Sequence, residues 1–301
     1  MVVFWPREVA SGSGEPLFPD VTAEDVVALT IVDNTGKQLS LRKVNGTWVL
    51  PDAGDYPAKG ETVAPVIEKL VGLTSSTLVA RTDASHVQLQ VAETTFQRQL
   101  DFETQAGDVY TVYLGSAPRY TATNFRVGGS SETYLTSELS TWEVNTQPSG
   151  WIDTSYISID QETVTGATLD NANGTFTFVK VGEDWTLTDL AEGETIAPGK
   201  TAAIVRSAST LSLSVPLGTT EDPSYGMDTP NATVTLETDD GAVHTLTVGA
   251  KVDDDNTYVV KSSDSPYYVR VAEYSVSAMV ENGRTDFLTV PPTPTPEPAA
   301  P

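Results

Sequence analysis

The stretch LRKVNGTWVL at 41–50 is written again, with changes, as FVKVGEDWTL at 178–187. Working outward, DNTGKQLSLRKVNGTWVL at 33–50 lies over DNANGTFTFVKVGEDWTL at 170–187 without a gap. Asp33, Asn34, Lys43, Val44, Trp48 and Leu50 recur as Asp170, Asn171, Lys180, Val181, Trp185 and Leu187. AP at 64–65 recurs at 197–198, and STL at 76–78 recurs at 209–211. LDFETQAGDVYTVYLG at 100–115 matches VTLETDDGAVHTLTVG at 234–249. The offsets are 137, 133, 133 and 134. Landmarks in one order at a near-constant offset point to tandem duplication of a unit of about 130 residues, longer than any solenoid repeat.

Within the first unit, VVALTIVD (26–33) and QLSLRKV (38–44) read as strands around the turn signal DNTG. In TWVL (47–50), Trp48 and Leu50 alternate onto one face. The period then changes. Val63, Val66, Ile67, Leu70 and Val71 form one stripe of an amphipathic helix. Thr62 is placed to cap it, Pro65 falls in its first turn, and Gly72 can end it. Short alternating runs follow, then a brief helix expected over 136–142. The second unit repeats this order, with a helix near 197–208 and another over about 271–282. The expected fold class is α+β: two tandem copies of a mostly antiparallel β domain with one main helix each. The expected organisation is an N-terminal lead (1–22), unit one (23–150), unit two (151–287) and a Pro/Thr-rich tail (288–301).

Composition limits the function. The 301 residues are 39% hydrophobic and 19% charged, enough apolar material for real cores. Seventeen Lys+Arg against 41 Asp+Glu give a net charge of −24. Phosphate backbones would repel such a chain, so no nucleic-acid partner is expected. The acidity serves solubility or, alternatively, captures cations or a basic partner. The absence of cysteine excludes disulfides, thiolate metal sites and thiol nucleophiles. No apolar run spans a bilayer, but VVFWPRE at 2–8 reads either as the outer end of a trimmed membrane helix or as an ordinary terminus.

No motif specifies a reaction. The two histidines, His86 and His244, are far apart in sequence. His244 shares an apolar strand face with Leu246 and Val248 and matches Tyr110, a packing position without a visible base partner. His86 falls in an expected loop. KVDDDNTY at 251–258 groups Asp253, Asp254, Asp255 and Asn256, either a solvated hairpin tip or a calcium site lacking the EF-hand order. Trp48 and Trp185 read as strand anchors, with sugar stacking as the sharper alternative. Glycosylation triplets begin at Asn45, Asn173 and Asn231. The sequence therefore assigns no catalytic, cofactor-binding or metal-ligating residue.

The NGTWVL strand, the YGMDTP turn (225–230) and the GAVHTLTVG hairpin (241–249) resemble the bacterial domain-of-unknown-function family numbered 4340. The resemblance runs over about 23–145 and again over 153–287. Unit one departs from it, with HVQLQVAETTF (86–96) where unit two has YGMDTPNATV. The resemblance implies an extracytoplasmic envelope protein with an N-terminal membrane helix absent from this chain, often encoded beside gliding-motility-type ABC-transporter components. The function expected is non-catalytic binding or scaffolding with protein partners in the envelope. The alternative is a carbohydrate-binding or carbohydrate-active protein using acids with Trp5, Trp142 or Trp151.

Overall fold

The computed structural model describes residues 14–119, 122–197 and 199–289. The anchor-like VVFWPRE segment with Trp5, and nearly all of the Pro/Thr tail, lie outside them. The chain divides into two compact units between Asp153 and Thr154.

Unit one is built on a nine-stranded sheet. From one edge its strands are Tyr56–Pro57, Thr47–Leu50, Gln38–Val44, Val26–Asp33, Arg98–Thr104, Val109–Leu114, Thr123–Val127, Thr133–Thr136 and Leu78–Ala80. Unit two has an eight-stranded sheet: Asp184–Leu187, Gly174–Val181, Val164–Asn171, Ala232–Thr238, Val243–Val252, Thr257–Ser262, Tyr268–Ala272 and Val215–Gly218. The pairings are antiparallel, and after the first edge strand the two orders match element for element. Even the bulge recurs, between Val26 and Ala28 and between Val164 and Gly166.

The expected α+β class is overturned: the fold is mostly antiparallel β-sheet with few helices. Nor does each unit carry one main helix. Unit one has α1 (Gly60–Val71) and α2 (Asp83–Leu89). Unit two has α3 (Lys200–Ser209), α4 (Glu273–Glu281) and α5 (Arg284–Phe287). The stripe reading finds only helices with an apolar face. α2 has none; it starts because the Thr82 hydroxyl accepts from the Ser85 amide, a local capping signal.

α1 buries Val63, Val66, Ile67 and Leu70 as the spacing predicts, each side chain contributing about 1.5–3 kcal/mol. Its start differs. It begins at Gly60, and Thr62 lies inside it rather than capping it. The Lys59 amide donates to the Trp151 carbonyl, and Ala58 bridges Ile152, so tertiary pairing fixes the start. The helix expected over 136–142 is instead a strand end and turn. There the Ser140 amide and hydroxyl both donate to Glu143 Oε2, satisfying the local groups without a helical ladder.

Two sequence landmarks do not hold equivalent places. Leu78 lies in a strand paired with Thr133–Thr136, whereas Leu211 lies in Thr210–Ser212, paired with Ser155–Ser158. The gapless overlay of 33–50 on 170–187 also slips at its turn. Ile31 faces Leu39, but Leu169 faces Phe176, so the second connection is one residue shorter. Asp33 therefore matches Asn171, not Asp170. Asp33 Oδ1 accepts from the Thr35 amide, and Asn171 Oδ1 accepts from the Asn173 amide.

Trp48, Val49 and Leu50 are all buried, because the Tyr56–Pro57 edge pairs against their strand. Trp185 is only half-buried. Trp151 is wholly buried, and its Nε1–H donates to the Asn145 carbonyl.

Candidate functional site

The sheet of unit one places Arg126 opposite Tyr113 across two neighbouring strands. Arg126 is 5% exposed, and its guanidinium lies 4.9 Å from the Tyr113 ring centroid. Its Nε donates to the Val91 carbonyl at 2.8 Å and its Nη1 to the Ser130 carbonyl at 3.0 Å. Among the described residues no carboxylate lies within ion-pair distance of it. A buried guanidinium without a counter-charge is costly unless hydrogen bonds and a ring face compensate it.

Arg126 forms part of the wall of an open cavity of about 500 Å³. α2 and the following loop supply Asp83, His86 and Glu93, and the turn after the Arg126 strand supplies Ser130 and Ser131. His86 is 6% exposed, on α2 rather than in a loop. Its Nε2 meets the Ser131 carbonyl at 2.8 Å, so Nε2 carries the proton and donates. Its Nδ1 stands 3.8 Å from Asp83 Oδ1. Glu132 Oε2 accepts from the Ser130 and Ser131 hydroxyls, and Arg81 stands 3.4 Å from Oε1. Those contacts, the Ser130 hydroxyl first, hold the Glu132 carboxyl below its ordinary range. Burial, then the charge of Glu93, pushes the Tyr113 phenol up; Arg126 partly opposes this.

The cavity depends on a close crossing. A Cβ on Gly115 would meet the Leu89 carbonyl at 2.1 Å, so only glycine lets the strand end pass the end of α2. Gln90 closes α2 at φ 59. Unit two builds the same crossing: a Cβ on Gly249 would meet the Tyr225 carbonyl at 2.1 Å, and Gly226 follows at φ 67. The YGMDTP turn and the divergent HVQLQV stretch thus fill one structural place.

The register that places Arg126 in unit one places Lys261 in unit two, opposite Thr247. Lys261 Nζ donates to the carbonyls of Ser262 and Ser265 and lies 5.6 Å from the Tyr268 ring centroid. Burial lowers its pKa. Sequence reading missed this pair, although a basic residue stands before the turn in both NFRVGG and VVKSSD.

The remaining sequence candidates disperse. His244 is not without a partner: its Nδ1 meets Asp264 Oδ2 at 2.8 Å on a partly exposed strand face. Asp253–Asp255 form one 3-10 turn ending at Asn256 with φ 48, and Asp255 is tied to Arg270 Nη1 at 2.8 Å. No group of three His, Cys, Asp or Glu among the described residues is arranged to hold a metal. Trp185 borders a cavity of about 340 Å³ with Ile196 and Thr201. Trp142 is 67% exposed beside a cavity of about 330 Å³ that includes Glu138 and Glu143. Burial opposes ionisation of Glu143, but bonds from Lys69 and Ser140 outweigh it and lower its pKa. Asn173 and Asn231 use their side-chain amides on the Glu281 and Gly249 carbonyls.

Residues 48–230 match a family described as Domain of unknown function (DUF4340). The chain belongs to the DUF4340 family. The DUF4340 match is one stretch, beginning at Trp48 in unit one and ending at Pro230 in unit two. It takes in the Arg126 cavity and the YGMDTP turn and stops before the GAVHTLTVG hairpin. No curated protein and no solved structure matches the chain. Among the described residues, no helix is long and apolar enough to cross a membrane.

Proposed function

We propose that this DUF4340 protein is a non-catalytic binding or scaffolding module, made of two tandem copies of one unit and held outside the cytoplasm in the cell envelope. One observation carries the reading: the buried imidazole and cationic groups His86, Arg126 and Lys261 hold loop carbonyls in place. His86 donates to Ser131, and Arg126 and Lys261 each donate to a carbonyl four residues ahead. The common strand order of the two sheets supports the duplication. The family resemblance supports the envelope location and an accessory role beside an ABC transporter. The test is to isolate the membrane-anchored form with its native flanks after cross-linking in cells. Recovery of transporter subunits supports the accessory role, and recovery of the protein by itself overturns it.

A second reading, carbohydrate binding, is favoured by Trp142, exposed beside Glu138. Binding to neutral glycans that is lost in Trp142→Ala supports it; equal retention by both proteins removes it.

A further inference from the structure

Arg126 has more donors than the fold uses. Its Nε and one hydrogen of Nη1 reach carbonyls, and no bond from Nη2 is formed to any described residue. Nη2 nevertheless belongs to a side chain that is 95% withdrawn from solvent and forms part of the cavity wall. Lysine suffices for the bond four residues ahead, since Lys261 makes it in unit two, and Arg126 adds the long-range bond to Val91, which Lys261 lacks; Nη2 is used by neither task. The extra fork of an arginine is what a planar carboxylate matches.

The other walls restrict the ligand further. Asp83 and Glu93 stand on the same cavity, and Asp83 is fully exposed. Two carboxylates on the wall of the cavity that one guanidinium also lines repel a dianion such as phosphate. They favour a ligand that brings its own positive charge. We propose that the cavity of unit one binds a small zwitterion of the α-amino-acid type, its carboxylate on Arg126 and its ammonium facing Asp83 and Glu93. The proposal rests on the binding reading above and gives it a ligand class. It concerns unit one alone, so failure here leaves the transporter association testable by cross-linking.

The experiment is a titration of the isotope-labelled full chain with glycine, acetate, glycinamide and inorganic phosphate, following the Arg126 Nε–H signal and the amides of 83–94 and 126–131. Glycine is expected to shift these signals saturably, acetate more weakly, and glycinamide and phosphate not at all. Arg126→Lys keeps the charge and the kind of bond Lys261 makes four residues ahead, but loses the Val91 bond and the fork, and should weaken glycine about tenfold. Glu93→Gln should erase the preference for glycine over acetate while leaving the rest of the spectrum in place. The proposal is overturned if glycine gives no saturable shift, if acetate, phosphate or glycinamide binds as well as glycine, or if both variants bind glycine as the parent does.

Discussion

Arg126 and Lys261 occupy one register position in two sheets: each precedes a turn and donates to the carbonyl four residues ahead, Ser130 in one unit and Ser265 in the other. Each also lies near an aromatic ring, Tyr113 or Tyr268. The cation braces the turn that follows its strand. Lys261→Ala removes the bonds to Ser262 and Ser265 and should cost about 1–2 kcal/mol. Urea unfolding of the full chain measures it, and no change in midpoint would show that the brace is ornamental.

The glycine crossings give the largest expected effects. Gly115→Ala and Gly249→Ala each drive a methyl into backbone carbonyl oxygen, Leu89 or Tyr225. Neither contact can be relieved by a side-chain rotation, so each should cost about 3 kcal/mol or more. Unfolding midpoints close to that of the parent would contradict the crossing.

Gln90 and Gly226 make a reciprocal pair at the left-handed position that ends the preceding turn. Gln90→Gly relieves a side chain at positive φ, worth about 1–2 kcal/mol, against loss of the bond that Gln97 Nε2 donates to Gln90 Oε1, and should stabilise by about 0.5 kcal/mol. Gly226→Ala adds strain at φ 67 and crowds the Ala250 backbone, so it should destabilise by at least about 1 kcal/mol. Opposite signs in thermal melts are the diagnostic result.

The Asp33 turn predicts an acid dependence. The Thr35 hydroxyl, against some burial and with help from Thr146 and the Thr35 and Lys37 amides, holds the Asp33 carboxyl at about 2. A folded-state value below the ordinary 3.8 means the carboxylate stabilises the fold above about pH 4. That contribution fades as pH falls toward 2. The side chain is partly exposed, so screening reduces it to about 1 kcal/mol. Asp33→Asn copies Asn171 and should keep the turn, cost that amount at pH 7, and cost progressively less through pH 2, with nothing left below it. A cost independent of pH would reject the assignment.

The two recurring tryptophans should no longer be equivalent in energy. Trp48→Ala empties a buried site and should cost about 3–5 kcal/mol. Trp185, half-buried beside its cavity, should cost about 1–2 kcal/mol on the same change. Equal losses would restore a common anchoring role.

The strands, hairpin turns and apolar stripe of α1 were legible because period and turn chemistry are local properties. Val63, Val66, Ile67 and Leu70 could be placed from spacing alone. The chain's acidity, its lack of cysteine and the likeness between its halves were likewise written in the order of residues. The tertiary structure decided the rest. It decided that the sheets dominate the fold, since pairing Leu78–Ala80 and Tyr56–Pro57 onto the edges depends on residues distant in sequence. It decided that Asp33 corresponds to Asn171, because register follows hydrogen-bonded partners rather than ungapped identity. It brought His86, Glu93 and Arg126 onto one cavity, because only the folding of α2 over the strand end at Gly115 gathers groups that no spacing rule connects.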